Sequence, residues 1–330
     1  MTSARVTPGR VGIVLGTLTL ILVAVVLGGL SVGVSLFSPL EVMRALFGSA
    51  DDAMTVIIRD LRLPRVLLAL IIGGGLSVAG ATFQALLRNT LAEPYVLGIS
   101  SGGAAGAVVA VILQAGSLAL PVFSLVGSGL VMILVYSLGH RRGFLDPNSL
   151  LLSGVMVGAF FNAFILLIVA VFSQETRTAY LWLLGNLAGA DFASVGIVSV
   201  FILLASSILV LHAKSFNLIA MGEESAMFLG ADVETLKRLS YIAASVVTGL
   251  AVSVSGVIGF VGLIVPHSCR LLFGPDHRLL LPASFLVGGS FLILCDIISR
   301  VALAPTEIPI GAITAVLGAP FFIVLLKKSS

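Results

Sequence analysis

The sequence KSFNLIAMGEESAMFLGADVETLKR, residues 214–238, is a polar segment between two long apolar runs. Within it, Glu223–Leu229 is bounded by Gly222 and Gly230, which predicts a short helix with acidic residues at its positive end and a glycine stop. The side chain of Asp232 can cap a second helix that starts there. Two short helices across the mouth of a bundle would suit attachment of a partner protein. An ordinary solvated loop is the alternative.

The composition on either side of this segment requires a lipid environment. Of the 330 residues, 58% are hydrophobic and 10% are charged. A helix crosses a bilayer with about 20 apolar residues, so this chain predicts many spans and short connections. We therefore expect one transmembrane domain over residues 1–330 and no separate soluble domain. Cys269 and Cys295 fall inside apolar runs and are predicted to be buried thiols, without a disulfide framework.

The apolar runs predict an all-α membrane protein with ten transmembrane helices and both termini in the cytoplasm. The orientation follows the positive-inside rule, because twelve of the 18 basic residues fall on the predicted cytoplasmic side. In a membrane protein such residues mainly mark that side, so the net charge of +3 says little about nucleic acid, and we expect no nucleic-acid partner. The predicted spans are residues 11–36, 66–87, 95–114, 120–138, 150–172, 192–211, 241–255, 256–273, 279–298 and 310–326.

Six arginines remain on the predicted external side, and half of them crowd into residues 59–65, where the rule disfavours them. Arg62 and Arg65 flank Pro64, and Arg300 lies at the external end of a later span. Planar guanidinium groups suit carboxylates on a partner. These three residues therefore form a candidate docking site, with a merely solvated basic face as the alternative. The six are Arg44, Arg59, Arg62, Arg65, Arg177 and Arg300.

The sequence contains no pattern for nucleotide chemistry or for a protein-bound metal. No Gly-x-x-x-x-Gly-Lys-Ser/Thr motif occurs, so any ATP must be hydrolysed by another subunit. The four histidines have no metal-ligand spacing. His267 is a candidate functional residue, because an ionisable group inside the membrane is one by default. A structural histidine that is hydrogen-bonded to a backbone carbonyl is the simpler interpretation. We expect no catalytic residue, no metal site and no cofactor bound by this chain.

Asp296 and Arg300 lie four residues apart, on one face of a predicted helix, where an ion pair lowers the cost of burying the carboxylate. This spacing also bears on other function classes. A secondary transporter would use ion-coupling carboxylates at mid-membrane, yet Asp296 is the one acidic residue placed there and Arg300 can neutralise it. An intramembrane enzyme would need a nucleophile and a base, and His267 with Asp296 makes no credible set.

Four segments of the chain together resemble one known family. They are LRLPRVLLALIIGGGLSVAGATFQALLRNTLAEPYVLGISSG (61–102), GEESAMFLG (222–230), GVIGFVGLIVPHSCRLLFGPDHRLLLP (256–282) and EIPIGAITAVLGAPFFIVLL (307–326). The resemblance is to the FecCD-type permeases of bacterial ABC importers for metal chelates, which include vitamin B12, haem and ferric-siderophore permeases. It extends from about residue 61 to the C-terminus.

The resemblance implies the fold of a type II ABC importer permease in the bacterial cytoplasmic membrane. Two permease subunits, most simply a homodimer, surround a central pathway for a ferric siderophore, haem or cobalamin. Two cytoplasmic ATPase subunits carry ATP and Mg, and an external binding protein delivers the substrate. A secondary transporter is the alternative to this function.

The resemblance also implies roles for particular residues. The coupling positions that would sit in a cleft of the ATPase are Gly222, Glu223, Ala226, Leu229 and Gly230. Arg62, Arg65 and Arg300 are similar to arginines that grip glutamates of the binding protein. Asp146, Pro147 and Asn148 fall near the cytoplasmic gate, where the vitamin B12 permease has small hydroxyl residues instead. Because the sequence departs from that pattern, the identity of the substrate does not transfer.

Overall fold

The computed structural model describes residues 7–48, 52–116, 118–141, 143–172 and 182–329. Arg5, Arg142 and Arg177, which contributed to the predicted orientation, lie outside these residues. The regular secondary structure of the described residues is helical, apart from one pair of two-residue strands, and turns and loops connect the helices. The all-α prediction is therefore confirmed.

Short elements of other kinds lie between some of the α-helices. A π-helical stretch, Val56–Arg62, leads directly into α4, and a short 3-10 helix, Pro94–Leu97, precedes α5. Strands β1 (His140–Arg141) and β2 (Phe144–Leu145) pair antiparallel between α6 and α7. The α-helices are α1 Pro8–Ser31, α2 Pro39–Phe47, α3 Asp52–Thr55, α4 Leu63–Leu86, α5 Ile99–Ile112, α6 Ala119–Gly139, α7 Pro147–Val171, α8 Phe192–Leu211, α9 Ala213–Ala220, α10 Glu223–Phe228, α11 Val233–Ser255, α12 Val261–Phe273, α13 His277–Val301 and α14 Ile310–Ser329.

Within the described residues, seven helices are long and apolar enough to cross a membrane, and three shorter apolar helices fill the remaining predicted positions. The shorter ones lie in α5, α12 and α14. Helix α5 has 14 residues, and at 1.5 Å per residue its length is about 21 Å, less than the roughly 30 Å hydrocarbon layer. The prediction of ten spans thus holds approximately, if the seven long helices and the three shorter ones are counted together.

Helix α4 is the centre of the bundle and is buried along nearly its whole length. It packs against α13, α12, α11 and α8. Two glycine pairs allow this packing, since a Cβ at Gly80 would lie 1.8 Å from the Gly262 carbonyl oxygen and one at Gly73 2.3 Å from that of Gly288. These glycines therefore let the backbones of neighbouring helices come into contact.

The two ends of the bundle differ in what they contain. We call residues 140–141, 143–146, 213–237 and 274–278 the α10 end, and residues 29–48, 52–62 and 300–309 the α2 end. Helix α13 joins them: its capping residue Asp276 accepts a hydrogen bond from Asn217, while Arg300 near its other terminus contacts α1 at Gly29. Cys269 and Cys295 are free and buried, as the sequence predicted.

Candidate functional site

The polar segment 214–238 forms two short helices followed by one long helix. Helix α10 occupies the position predicted from its glycines, and Gly222 and Gly230 have φ values of +118° and +83°, which side chains disfavour. Asp232 is a cap, as predicted, and accepts from the Thr235 amide at 3.0 Å. The prediction of a second short helix starting there is wrong. Asp232 caps the 23-residue helix α11, because Leu236 and Ser240 are already buried against the bundle; the second short helix is α9.

The outer face of the α10 region is apolar. Ala226 is fully buried beneath it, whereas Phe228 is 90% exposed and Leu229 61% exposed. Met227 and Met221 are exposed beside them. A cluster of exposed apolar side chains next to acidic residues is typical of a protein-binding surface.

Glu223, at the start of α10, is the centre of an ionic cluster. Its carboxylate lies 2.5 Å from Lys237 Nζ and 3.2 Å from Arg88 Nη2. Lys237 belongs to the first turns of α11 and is buried, and Arg88 follows the end of α4. We call Glu223, Lys237, Arg88 and Glu234 the Glu223 cluster.

The same cluster holds the turn before α7, residues 143–146. Lys237 Nζ donates to the Leu145 carbonyl oxygen at 3.3 Å, and Glu234 Oε1 accepts from the Leu145 amide at 3.0 Å. The peptide groups on both sides of Leu145 are therefore bonded to α11.

The predicted gate residues Asp146, Pro147 and Asn148 come immediately after Leu145. Asp146 is the N-cap of α7 and accepts from the Ser149 amide at 2.7 Å. Hydrogen bonds from Ser149 hold the pKa of the Asp146 carboxyl below its usual value, so the cap is ionised at neutral pH. Pro147 is the first residue of α7, where its fixed φ suits a helix start. The gate role of these residues stays a prediction.

A recess lies on the face formed by α5 and α7. Its volume is about 510 Å³. Its lining combines hydroxyl and amide groups with apolar side chains and includes Tyr95, Ser100, Ser101, Asn162, Leu166 and Val257. A recess of this size with a mixed lining can accommodate part of a large, weakly held solute.

Arg62, at the α2 end, caps the terminus of α1. Its Nη1 donates to the carbonyl oxygens of Leu30 and Ser31 at 2.7 and 3.1 Å, and its Nη2 donates to that of Ser35 at 2.6 Å. The guanidinium also lies over the Phe37 ring, 4.9 Å from its centroid. The last carbonyls of a helix have no partner within the helix, and a cation there also meets the negative end of the dipole.

Arg65, Asp296 and Arg300 form a second ionic cluster beside Arg62. Asp296 Oδ1 lies 2.7 Å from Arg65 Nε, and its Oδ2 lies 3.0 Å from Arg300 Nε, which confirms the predicted pair. Arg65 also reaches Glu307 at 2.9 Å. Arg300 further donates to the carbonyls of Gly29 and Val32, both at 3.0 Å. We call Arg62, Arg65, Asp296, Arg300 and Glu307 the Asp296 cluster.

The three predicted docking arginines thus meet at one end of the bundle, but they are not displayed on its surface. Arg62, Arg65 and Arg300 are each only 7% exposed. The prediction that these guanidinium groups lie free on the outer surface is therefore wrong for this conformation. Their N–H groups already donate to carbonyls at the end of α1 and pair with the carboxylates of Asp296 and Glu307. Burial and internal pairing also explain why arginines accumulate at residues 59–65. The docking role itself stays a prediction.

Several residues of these clusters were missed by sequence reasoning. Glu234 and Lys237 are three apart on α11, a spacing that places them on one face of a helix, and this signal could have found them. The pairing of Arg65 with Glu307, 242 residues away, has no local signal. Nδ1 of His267 is buried and has no hydrogen-bond partner among the described residues. The predicted hydrogen bond to a backbone carbonyl is therefore not formed by that atom. No described group of three or more His, Cys, Asp or Glu is arranged to hold a metal ion.

A bundle of apolar helices with a pair of short helices at one end and a mixed recess on one face has the architecture of a membrane transport subunit. The chain belongs to the FecCD transport family, whose model matches residues 20–328. The resemblance noted in the sequence is thereby confirmed.

Relatives across this family match nearly the whole chain. The cobalamin import system permease of Halobacterium salinarum is 40% identical over 309 residues, 92% of this chain and 82% of that protein. The hemin transport system permease of Yersinia pestis is 37% identical over 326 residues, 96% of each chain. A solved structure described as an inward-facing conformation of a metal-chelate type ABC transporter has a TM-score of 0.86 at 31% identity, covering 95% of this chain and 98% of that one. The protein is accordingly a polytopic permease component of the ABC transporter class and not its catalytic subunit.

Proposed function

We propose that this chain is the permease subunit of an ATP-driven, binding-protein-dependent importer of a metal chelate, a ferric siderophore, haem or cobalamin. The observation that carries the proposal is the surface of α10. Phe228 and Leu229 are exposed there, and Glu223 bonds this short helix to the rest of the bundle. A passive channel needs no such surface. A permease that is driven by a separate ATPase does.

The α10 end then faces the cytoplasm, with both chain termini on that side of the bacterial cytoplasmic membrane. Two ATP-binding subunits, which hold ATP and Mg, would receive α10 in a cleft. Gly222 and Gly230 delimit the inserted helix, and Ala226 packs it on the bundle. Leu229 faces the partner, and Glu223 bonds the helix to Lys237 and Arg88. Support comes from the buried position of Ala226 and the exposure of Leu229.

The translocation pathway would form where α7 faces a second permease copy, most simply in a homodimer. Support comes from the exposed face of α7, which carries Met156 and Phe160, and from the adjacent recess lined by Asn162. Asp146, Pro147 and Asn148 would close the pathway at the cytoplasmic side. A large chelate released from a binding protein needs a wide passage and little tight binding.

Docking of the extracytoplasmic binding protein would use Arg62, Arg65 and Arg300, at the α2 end. In this conformation Glu307 is the most accessible acceptor of the Asp296 cluster, with 40% of its side chain exposed. A carboxylate of the binding protein would therefore replace Glu307 as the partner of Arg65. Exchange of one charged partner for another avoids leaving a buried guanidinium unpaired.

Reconstitution tests the function. Proteoliposomes containing this chain, its ATPase and its binding protein should accumulate a radiolabelled chelate when ATP is present, and omission of any component should abolish accumulation. Accumulation by the chain alone, driven by an imposed ion gradient, would instead establish a secondary transporter. The probes are ferrichrome, haemin and cyanocobalamin, measured separately.

A single neutral variant tests docking without creating an unpaired buried charge. In Arg65→Gln the guanidinium is lost, while Asp296 keeps its ion pair with Arg300. We expect the affinity of the folded permease–ATPase complex for the binding protein to fall about tenfold or more, in line with loss of an interfacial charge pair. Lys214→Met, at the opposite end, is the matched control. Unchanged affinity in Arg65→Gln would refute the docking role.

A further inference from the structure

We propose that Lys237 is the positioning residue that transmits a displacement of α10 to the 143–146 turn and hence to the start of α7. This inference rests on the proposed function, in which α10 is moved by the ATPase. It adds the physical connection between the moving segment and the gate.

Lys237 is bonded at the same time to both segments. Its Nζ is 2.5 Å from Glu223 Oε2 on α10 and 3.3 Å from the Leu145 carbonyl oxygen in the turn. Among the described residues, no other hydrogen bond or ion pair bridges α10 and the turn through a single side chain. A displacement of Glu223 therefore acts on Leu145 through one ammonium group.

Burial makes this connection persistent. Lys237 is 4% exposed, so water does not readily replace either acceptor. The second support of the turn, the bond from the Leu145 amide to Glu234, starts from the same first turns of α11. The turn is thus held to α11 on both sides of Leu145, and α11 is held to α10 through Lys237.

The connection continues into α7 without a flexible element. Asp146 follows Leu145 directly and caps α7 at the Ser149 amide. A movement of the Leu145 peptide must therefore move the first turn of α7. Arg88 also pairs with Glu223, but its side chain is 47% exposed and leads to α4, so it is the less constrained of the two cations.

The first test measures how much ATP is hydrolysed for each substrate molecule transported. Lys237→Met keeps an unbranched apolar side chain but removes the donors, and Arg88 remains to pair with Glu223. We expect ATP hydrolysis to stay within about twofold of the wild type while the ATP consumed per substrate rises about tenfold, within the usual range of coupling between sites. Lys237→Arg should restore the ratio, because it keeps charge and donors.

The matched control is Lys214→Met, an exposed lysine of the same polar segment. It should leave the ratio unchanged. A normal ratio in Lys237→Met would overturn the inference. An equal rise in Lys237→Arg would also overturn it, since a purely steric disturbance would then explain the effect.

A distance measurement settles the matter even if Lys237→Met does not fold. Spin labels on cysteines introduced at Phe144 and Phe228, both exposed, report the separation of the turn from α10 in the assembled complex. In the otherwise wild-type chain the distance should be the same in the nucleotide-free and ATP-trapped states. A change of several Å between those states would show that the segments move independently and would overturn the inference.

The failure of this inference is distinguishable from failure of the proposed function. If the wild-type complex shows no ATP-driven uptake, the proposed function is wrong. If the wild type transports normally and Lys237→Met couples as well as the wild type, only the role of Lys237 is wrong.

Discussion

The Glu223 cluster and the Asp296 cluster are both ionic, yet they differ in their access to water. In the Glu223 cluster the side chains of Glu223 and Arg88 are 27% and 47% exposed. In the Asp296 cluster the carboxylate of Asp296 is 0% exposed, and its partners Arg65 and Arg300 are 9% and 8% exposed. A partly hydrated charge such as that of Arg88 can exchange partners at modest cost, whereas a dehydrated one must stay paired. Asp296 is dehydrated, and so is Lys237 of the Glu223 cluster, with 5% of its side chain exposed.

The clusters also join different kinds of element. The Asp296 cluster binds three long helices, α1, α4 and α13, and satisfies carbonyls at the end of α1. The Glu223 cluster binds the short helix α10 and a turn to the first turns of α11. One end of the bundle is therefore built to be rigid, and the other holds small segments that can move together.

The largest effect should come from Asp296→Ala, which leaves Arg65 and Arg300 buried without their shared carboxylate. Breaking a buried ionic group in this way costs about 3–5 kcal/mol. The measurement is unfolding of the purified chain in detergent, followed by helical circular dichroism. Asp191→Ala removes an exposed helix cap and should cost only about 1 kcal/mol. Equal losses for the two variants would contradict the rigid role of the Asp296 cluster.

A smaller loss is expected from Gly80→Ala, in the helix that connects the two clusters. Helix α4 begins beside Arg65 and leads to Arg88, so its packing against α12 sets the distance between them. The added methyl group would collide with the Gly262 carbonyl, and overpacking of this kind costs about 1–3 kcal/mol. Gly129→Ala, with open space around it, is the control and should be neutral in the same unfolding experiment. Neutral behaviour of Gly80→Ala would show that the contact is not tight.

The smallest effect is expected at the α10 end, from Asp146→Ala. Loss of the α7 cap should cost about 1 kcal/mol at pH 7, and Asp146→Ser should recover most of it because serine is also a good cap. The pKa of Asp146 is lowered in the folded chain, so its contribution is fully present above the usual pKa of 3.8 and is lost as the pH falls below that value. Thermal denaturation at pH 7 and at pH 3 measures this. A gap between wild type and Asp146→Ala that is the same at both pH values would contradict an ionised cap.

Much of the helical layout could be predicted because its signals are local. The run at residues 192–211 coincides with α8, and Asp191 caps it, accepting from the Ala193 and Ser194 amides. Hydropathy over about 20 residues and a capping side chain next to the helix start need no knowledge of the rest of the chain.

The second short helix was misplaced because its length depends on packing and not on a local signal. Asp232 marks a helix start in either case, and only burial of Leu236 decides that the helix continues.

The amino-acid sequence was enough to establish the apolar helices, the glycine bounds of α10, the Asp296–Arg300 pair and the family, all of which depend on residues close together in the chain or on long matching segments. Packing of the whole chain was needed to show that Arg62, Arg65 and Arg300 are buried, and that Lys237 joins Glu223 to Leu145. The physical reason is that an ionic partner is chosen by proximity in space. That proximity is set by the close packing of helices, and the residues it brings together can be 231 positions apart, as Arg65 and Asp296 are.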